Sequence, residues 1–130
     1  MGQFNVRASA PGEFGQLNLM SAAVPFGSAT GGTVDLGALE VGDVVVMAWA
    51  QVTQAFNGTT PEVVLGDGTT ANKYLAAGDV TEGTLGVYPT NGKGPFAAET
   101  AAGTLRATVT GTGMSAGSAR IYAMVNKVPA

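Results

Sequence analysis

Residues Asp43–Gly68, DVVVMAWAQVTQAFNGTTPEVVLGDG, decide how the chain is read. From Val44 to Phe56 the even positions are Val44, Val46, Ala48, Ala50, Val52, Gln54 and Phe56, and the odd ones Val45, Met47, Trp49, Gln51, Thr53 and Ala55. A strand with one wet face alternates apolar and polar side chains, because successive residues project to opposite faces. Here the first half is apolar on both faces, and polarity enters only at Gln51. The reading is a strand covered on both sides, inside a sandwich or against a partner chain. Asn57-Gly58 then supplies the positive φ of a tight hairpin turn. Pro61 opens a second strand, Glu62–Leu65, where its missing N–H does no harm, and Gly66-Asp67-Gly68 is a further hairpin turn.

Outward from this stretch, turns and short alternating segments follow one another. Thr33–Leu36 begins the first clear strand. Ala71–Ala77 is a strand or a single helical turn, too short to be a helix on its own. Thr84–Tyr88 is a strand with Leu85 and Val87 on one face, and Pro89–Pro95 is loop. Thr104–Thr110 places Leu105, Ala107 and Val109 opposite Thr104, Arg106, Thr108 and Thr110. Ser118–Val128 places Ala119, Ile121, Ala123 and Val125 opposite Arg120, Tyr122, Met124 and Asn126. Seven or eight short strands with no long helix predict an all-β, antiparallel β-sandwich of jelly-roll type, with a closed barrel as the alternative.

Residues 1–32 have weaker patterning, and Pro11 and Pro25 argue against a helix through them. They are read as an extended N-terminal arm before a sandwich domain at residues 33–130, with one short strand near Gln16–Met20. Phe4, Phe14, Leu17, Leu19 and Met20 are too apolar for a tail left in water. They imply an arm that docks on a neighbouring subunit or folds back on its own domain. Deleting residues 1–20 is expected to leave the sandwich folded but to weaken binding to its partner.

Composition narrows the function. The chain of 130 residues is one domain able to bury its own core. Charged residues are only 12%, about half the usual share, and Gly is 20 of 130, about twice the usual. That suits a β-rich chain whose surface is partly covered by neighbours, since charge is depleted at interface centres; a small β domain that simply carries few charges reads the same way. The net charge of −3 comes without a basic stripe, so nucleic acid and anionic membrane are not expected partners. No apolar run is long enough for a transmembrane helix, and no signal peptide is expected at the N-terminus.

Absent Cys and His remove disulfides, thiolate metal sites and the commonest general base, so no cofactor or metal is expected. The nine acids show no spacing that marks a catalytic pair; most lie beside turns, where carboxylates cap backbone N–H groups. Leu65–Thr70 lacks the alternating acids of a calcium loop and the Lys-Ser/Thr of a phosphate loop. Ser115 and Ser118 have no base placed by motif, Lys73 and Lys127 being the only candidates. No enzyme activity is expected. Trp49 with Tyr74, Tyr88 and Tyr122 would suit a sugar platform, but Trp49 lies in the most apolar strand and reads as core or subunit interface.

Ala50–Asp67, in which a strand ending Ala-Phe-Asn-Gly runs through Thr-Thr-Pro into a strand ending Gly-Asp, resembles small structural proteins of tailed bacteriophages. The closing Gly117–Val125, with its Gly-Ser-Ala-Arg-Ile-Tyr pattern, resembles their final strand. The resemblance spans roughly residues 33–128. It implies a structural virion protein, assembled in the bacterial host cytoplasm, and does not say which part of the particle; the reading taken is a decoration or cement protein that binds the capsid as a homo-oligomer, as a trimer at local three-fold positions. Its partners would be copies of itself and the major capsid protein or other virion proteins. On this reading Phe4, Phe14, Leu17, Leu19 and Met20 are arm contacts, and Met47 and Trp49 serve core or interface. The alternative is a tail-fibre, receptor- or carbohydrate-binding module, with Tyr88, Asn91 and Lys93 as its exposed loop. A polysaccharide hydrolase would need two converging acids.

Overall fold

The computed structural model describes residues 16–27, 32–90 and 94–128. Phe4 and Phe14 of the arm reading, and Asn91 and Lys93 of the loop reading, lie outside them. Among the described residues seven strands form, each where the sequence alternates or is apolar throughout: β1 (Gln16–Pro25), β2 (Thr33–Leu39), β3 (Val44–Gln54), β4 (Thr59–Gly66), β5 (Gly86–Pro89), β6 (Gly103–Thr112) and β7 (Ser118–Lys127). One 3-10 turn at Ala77–Asp79 is the helical element among the described residues.

The strands make two antiparallel sheets, β1-β7-β3-β5 and β2-β6-β4. They pack face to face around Val45, Ala48, Ala50, Val52, Ile121, Ala123 and Val125 from the first sheet and Leu39, Val63, Leu65, Leu105, Ala107 and Val109 from the second. The chain is an all-β antiparallel sandwich. Each connection crosses from one sheet to the other, so no two consecutive strands pair.

That corrects the hairpin reading of the two Gly turns. Gly58 does take a positive φ of 92°, but Asn57-Gly58 carries the chain across the sandwich. Its side chain zips that crossing to the β6–β7 crossing: Asn57 Oδ1 accepts from the Ser115 and Ala116 N–H groups at 2.8 and 3.1 Å, and its amide donates to Ser115 Oγ at 2.9 Å. After β4, Asp67 caps its own turn, accepting from the Thr69 and Thr70 N–H groups at 2.9 and 2.8 Å. The chain then returns for a single bridge between Leu65 and Leu75.

The short strand expected near Gln16 runs on to Pro25 and is fully registered with β7. The stretch from Gln16 to Pro25, read from sequence as part of an arm, is therefore the edge strand of the four-stranded sheet. Truncation at residue 20 would remove half of it.

Candidate interaction surface

The outer faces of the two sheets differ. On the three-stranded sheet, the outward residues of β6 are Thr104, Arg106, Thr108 and Thr110, beside Thr33 and Asp35 of β2 and Glu62 of β4. Arg106 and Asp35 pair there at 2.7 Å. This is the polar surface that a solvent-facing antiparallel sheet normally shows.

The four-stranded sheet is different. A register shift between Val45 and Met47 re-aims β3, so that Val45, Ala48, Ala50 and Val52 point inward and Met47, Trp49, Gln51 and Thr53 outward. Cross-strand pairing lines Met47 up with Met124 and Leu19, and Trp49 with Tyr122, Pro89 and Ser21. Leu17 and Val87 extend the same face. Leu19, Met47 and Val87 are 56%, 44% and 61% exposed, so nothing within the described chain covers them. Arg120 is the one charged side chain on this face among the described residues. An apolar surface of this kind is a candidate contact site.

At its centre Trp49 and Tyr122 stack, with ring centroids 5.2 Å apart and planes 10° from parallel. Beside them Met47, Trp49, Val87 and Pro89 line a shallow hollow of about 360 Å³. Each ring already uses one face on the other, which leaves less aromatic surface than an open sugar platform presents.

Of the residues singled out from sequence, Leu17, Leu19, Met47 and Trp49 come together here. Met20 does not: it points inward, partly buried against the core and facing Gly37. Tyr88, expected on an exposed loop, lies on β5 and is half-buried, with its ring on the core and its hydroxyl donating to the Thr84 carbonyl at 2.7 Å. Tyr74 is fully buried. Tyr122, Met124, Val87 and Pro89 complete the face. Their outward direction was readable in part, but which strands lie side by side was not.

The buried acids are held by the fold's own hydrogen bonds and ion pairs. Asp43 is fully buried and accepts from Lys127 and from the Glu40 and Val128 N–H groups. Burial alone would raise its pKa; Lys127 and the two N–H groups outweigh that and hold it below the usual carboxylate value. Lys73 bridges Asp67 and Glu99 at 3.2 and 3.3 Å, and the Tyr74 hydroxyl donates to Glu99. Burial, then that carboxylate, pushes the Tyr74 hydroxyl far above its ordinary value. Glu82, also buried, accepts from the Val63 N–H at 3.1 Å; burial raises its pKa. Both lysines named as possible bases are thus engaged in ion pairs.

No protein-family model and no curated protein matches the chain. Among solved structures it is similar to a chain of the cyanophage Pam1 capsid asymmetric unit, with 24% identity and a TM-score of 0.66 over 98% of this chain and 97% of that one. At that identity the likeness shows a shared fold.

Proposed function

We propose that this chain is a non-enzymatic structural protein of a tailed-phage virion: a decoration, or cement, protein that lies on the capsid and stabilises it. The observation that carries the reading is the fold likeness, along nearly the whole of both chains, to a chain of a phage capsid asymmetric unit. The apolar outer face of β1-β7-β3-β5 supplies the means. A particle offers the same site many times, and burying this face across a junction between capsid subunits removes apolar surface from water at every copy. Trp49, stacked on Tyr122 beside the hollow, is its anchor, since aromatic side chains near the centre of a contact carry most of the binding energy.

On this reading the sandwich is of jelly-roll type. A jelly roll has eight strands in two sheets; seven are found among the described residues, and the Leu65–Leu75 bridge stands beside β4 where another would pair. The partners are the capsid surface and further copies of the chain, with three copies meeting on the particle at a local three-fold position. Mass spectrometry of gradient-purified particles of the encoding phage tests the reading. The chain is expected there in stoichiometric amount; its confinement to the soluble lysate would overturn the proposal.

A second reading draws on the same Trp49. A ring beside a hollow is also how a tail-fibre module holds a sugar, and glycan-array binding lost on Trp49→Ala would favour it over decoration.

A further inference from the structure

The polar outer face of β2-β6-β4 is not flat. Val63 and Leu65 of β4 point into the core, so Gly66 faces outward, in register with Arg106 of β6. The loop after it folds back over this face so closely that a Cβ at Gly66 would stand 1.8 Å from the Thr70 carbonyl oxygen. Only glycine fits there. Asp67 fixes the loop from within, through the Thr69 and Thr70 N–H groups and Lys73. Its carbonyl also accepts from the Thr104 N–H of β6 at 3.2 Å.

Between loop and sheet lies a pocket of about 180 Å³, lined by Thr33, Gly68, Thr69, Ala71, Arg106 and Thr108. Thr33 and Thr108 are a cross-strand pair, and Gly66 adds no side chain between Arg106 and the loop. The lining holds one cation, three hydroxyls and no acid. Asp35, outside that lining, holds the guanidinium: Nε donates to Oδ1 at 2.7 Å and Nη2 to Oδ2 at 3.5 Å. A guanidinium has five N–H groups in a rigid fork, so this pair fixes its plane and leaves three of them. Among the described residues no partner takes the Thr33, Thr69 or Thr108 hydroxyl.

We infer that this pocket binds a carboxylate, carried by a small acid or by an acidic sugar. A planar carboxylate meets a guanidinium through two parallel hydrogen bonds. A lining with a cation, hydroxyl donors and no acid favours an anion over a neutral ligand. The hydroxyls serve the carboxylate's remaining lone pairs or, on a sugar, the ring hydroxyls. Size bounds the ligand: pockets for drug-sized molecules hold about 300–1,000 Å³, so this one admits a single small unit. The inference stands apart from the virion reading. On a particle bound through the apolar face, the pocket would look outward.

Nitrogen–proton correlation NMR of the full chain, titrated with acetate, glucuronate and glucose at constant ionic strength, tests it. Acetate and glucuronate should move the amides of the six lining residues and leave the Trp49 indole unmoved. The tighter of the two should saturate with a dissociation constant on the order of 1 mM. Glucose should move none of them. Glucuronate at least about ten-fold tighter than acetate assigns an acidic sugar; equal affinities assign a small acid. Arg106→Lys keeps the charge but not the fork and is expected to weaken binding at least about five-fold. A surface that merely collects anions would not respond to that change. The Asp35–Arg106 pair is exposed, so altering it costs little stability. No saturable shift with either acid, shifts with glucose as large as with glucuronate, or affinity unmoved by Arg106→Lys would each overturn the inference. Should Arg106→Lys fail to fold, Thr108→Val, which removes one lining hydroxyl and keeps the branched shape, takes its place with the same expected direction.

Discussion

Replacing Trp49 by alanine removes half of a stacked pair that lies on the surface rather than in the core. The expected loss of stability is about 1 kcal/mol, the scale of one aromatic contact, read as a small shift in the urea midpoint with an unchanged slope. Asp43 behaves oppositely. It is buried beneath Lys127 and two backbone N–H groups, so Asp43→Asn strands the Lys127 charge and is expected to cost about 3–5 kcal/mol. The sign of its pH dependence follows from its lowered folded pKa. The stability it adds is fully present above the unfolded Asp value of about 3.9 and is lost as pH falls through the lower folded value. Glu82 runs the other way, its folded pKa being raised. Its charge opposes folding at neutral pH, and Glu82→Gln is expected to stabilise there, with the gain gone below the unfolded Glu value of about 4.3. Urea titrations at pH 7 and below pH 4 check both signs.

Among the elements, β1 and the β4 edge carry the clearest consequences. Deleting residues 1–20 removes Gln16–Met20 from the ladder with β7 and takes Met20 off Gly37. A loss of at least about 2 kcal/mol is expected from the Met20 packing alone, measured as a lowered thermal midpoint. The sequence showed the strands by their alternation: β6 and β7 point inward with the residues that their patterns implied. It did not show which strands are neighbours. Asn57-Gly58 has hairpin chemistry but crosses between sheets, because its partner is the β6–β7 crossing, 58 residues on. The bulge after Val45 was also hidden, since Val44–Val46 is apolar whichever way it turns. Met47 and Trp49 were readable as core or interface, and only the sheet order decided for the outer face. Tyr88 was placed at the end of a strand, as found, but was grouped with the loop that follows it; the pairing of Gly86–Pro89 with β3 turns its ring onto the core instead.

For the whole molecule, the contrast between a polar outer face on one sheet and an apolar one on the other fits the proposed decoration role: one side toward water, one toward the particle. The chain's single tryptophan lies on the apolar side, so its fluorescence reports docking without a label. The decisive measurement is titration of the purified protein onto particles assembled without it, following sedimented copies and Trp49 emission together. Saturation at a fixed number of copies per particle, with blue-shifted emission and at least about thirty-fold weaker binding by Trp49→Ala, is the predicted result. Absence of saturable binding, or binding that leaves Trp49 emission unmoved and is indifferent to Trp49→Ala, would contradict the account.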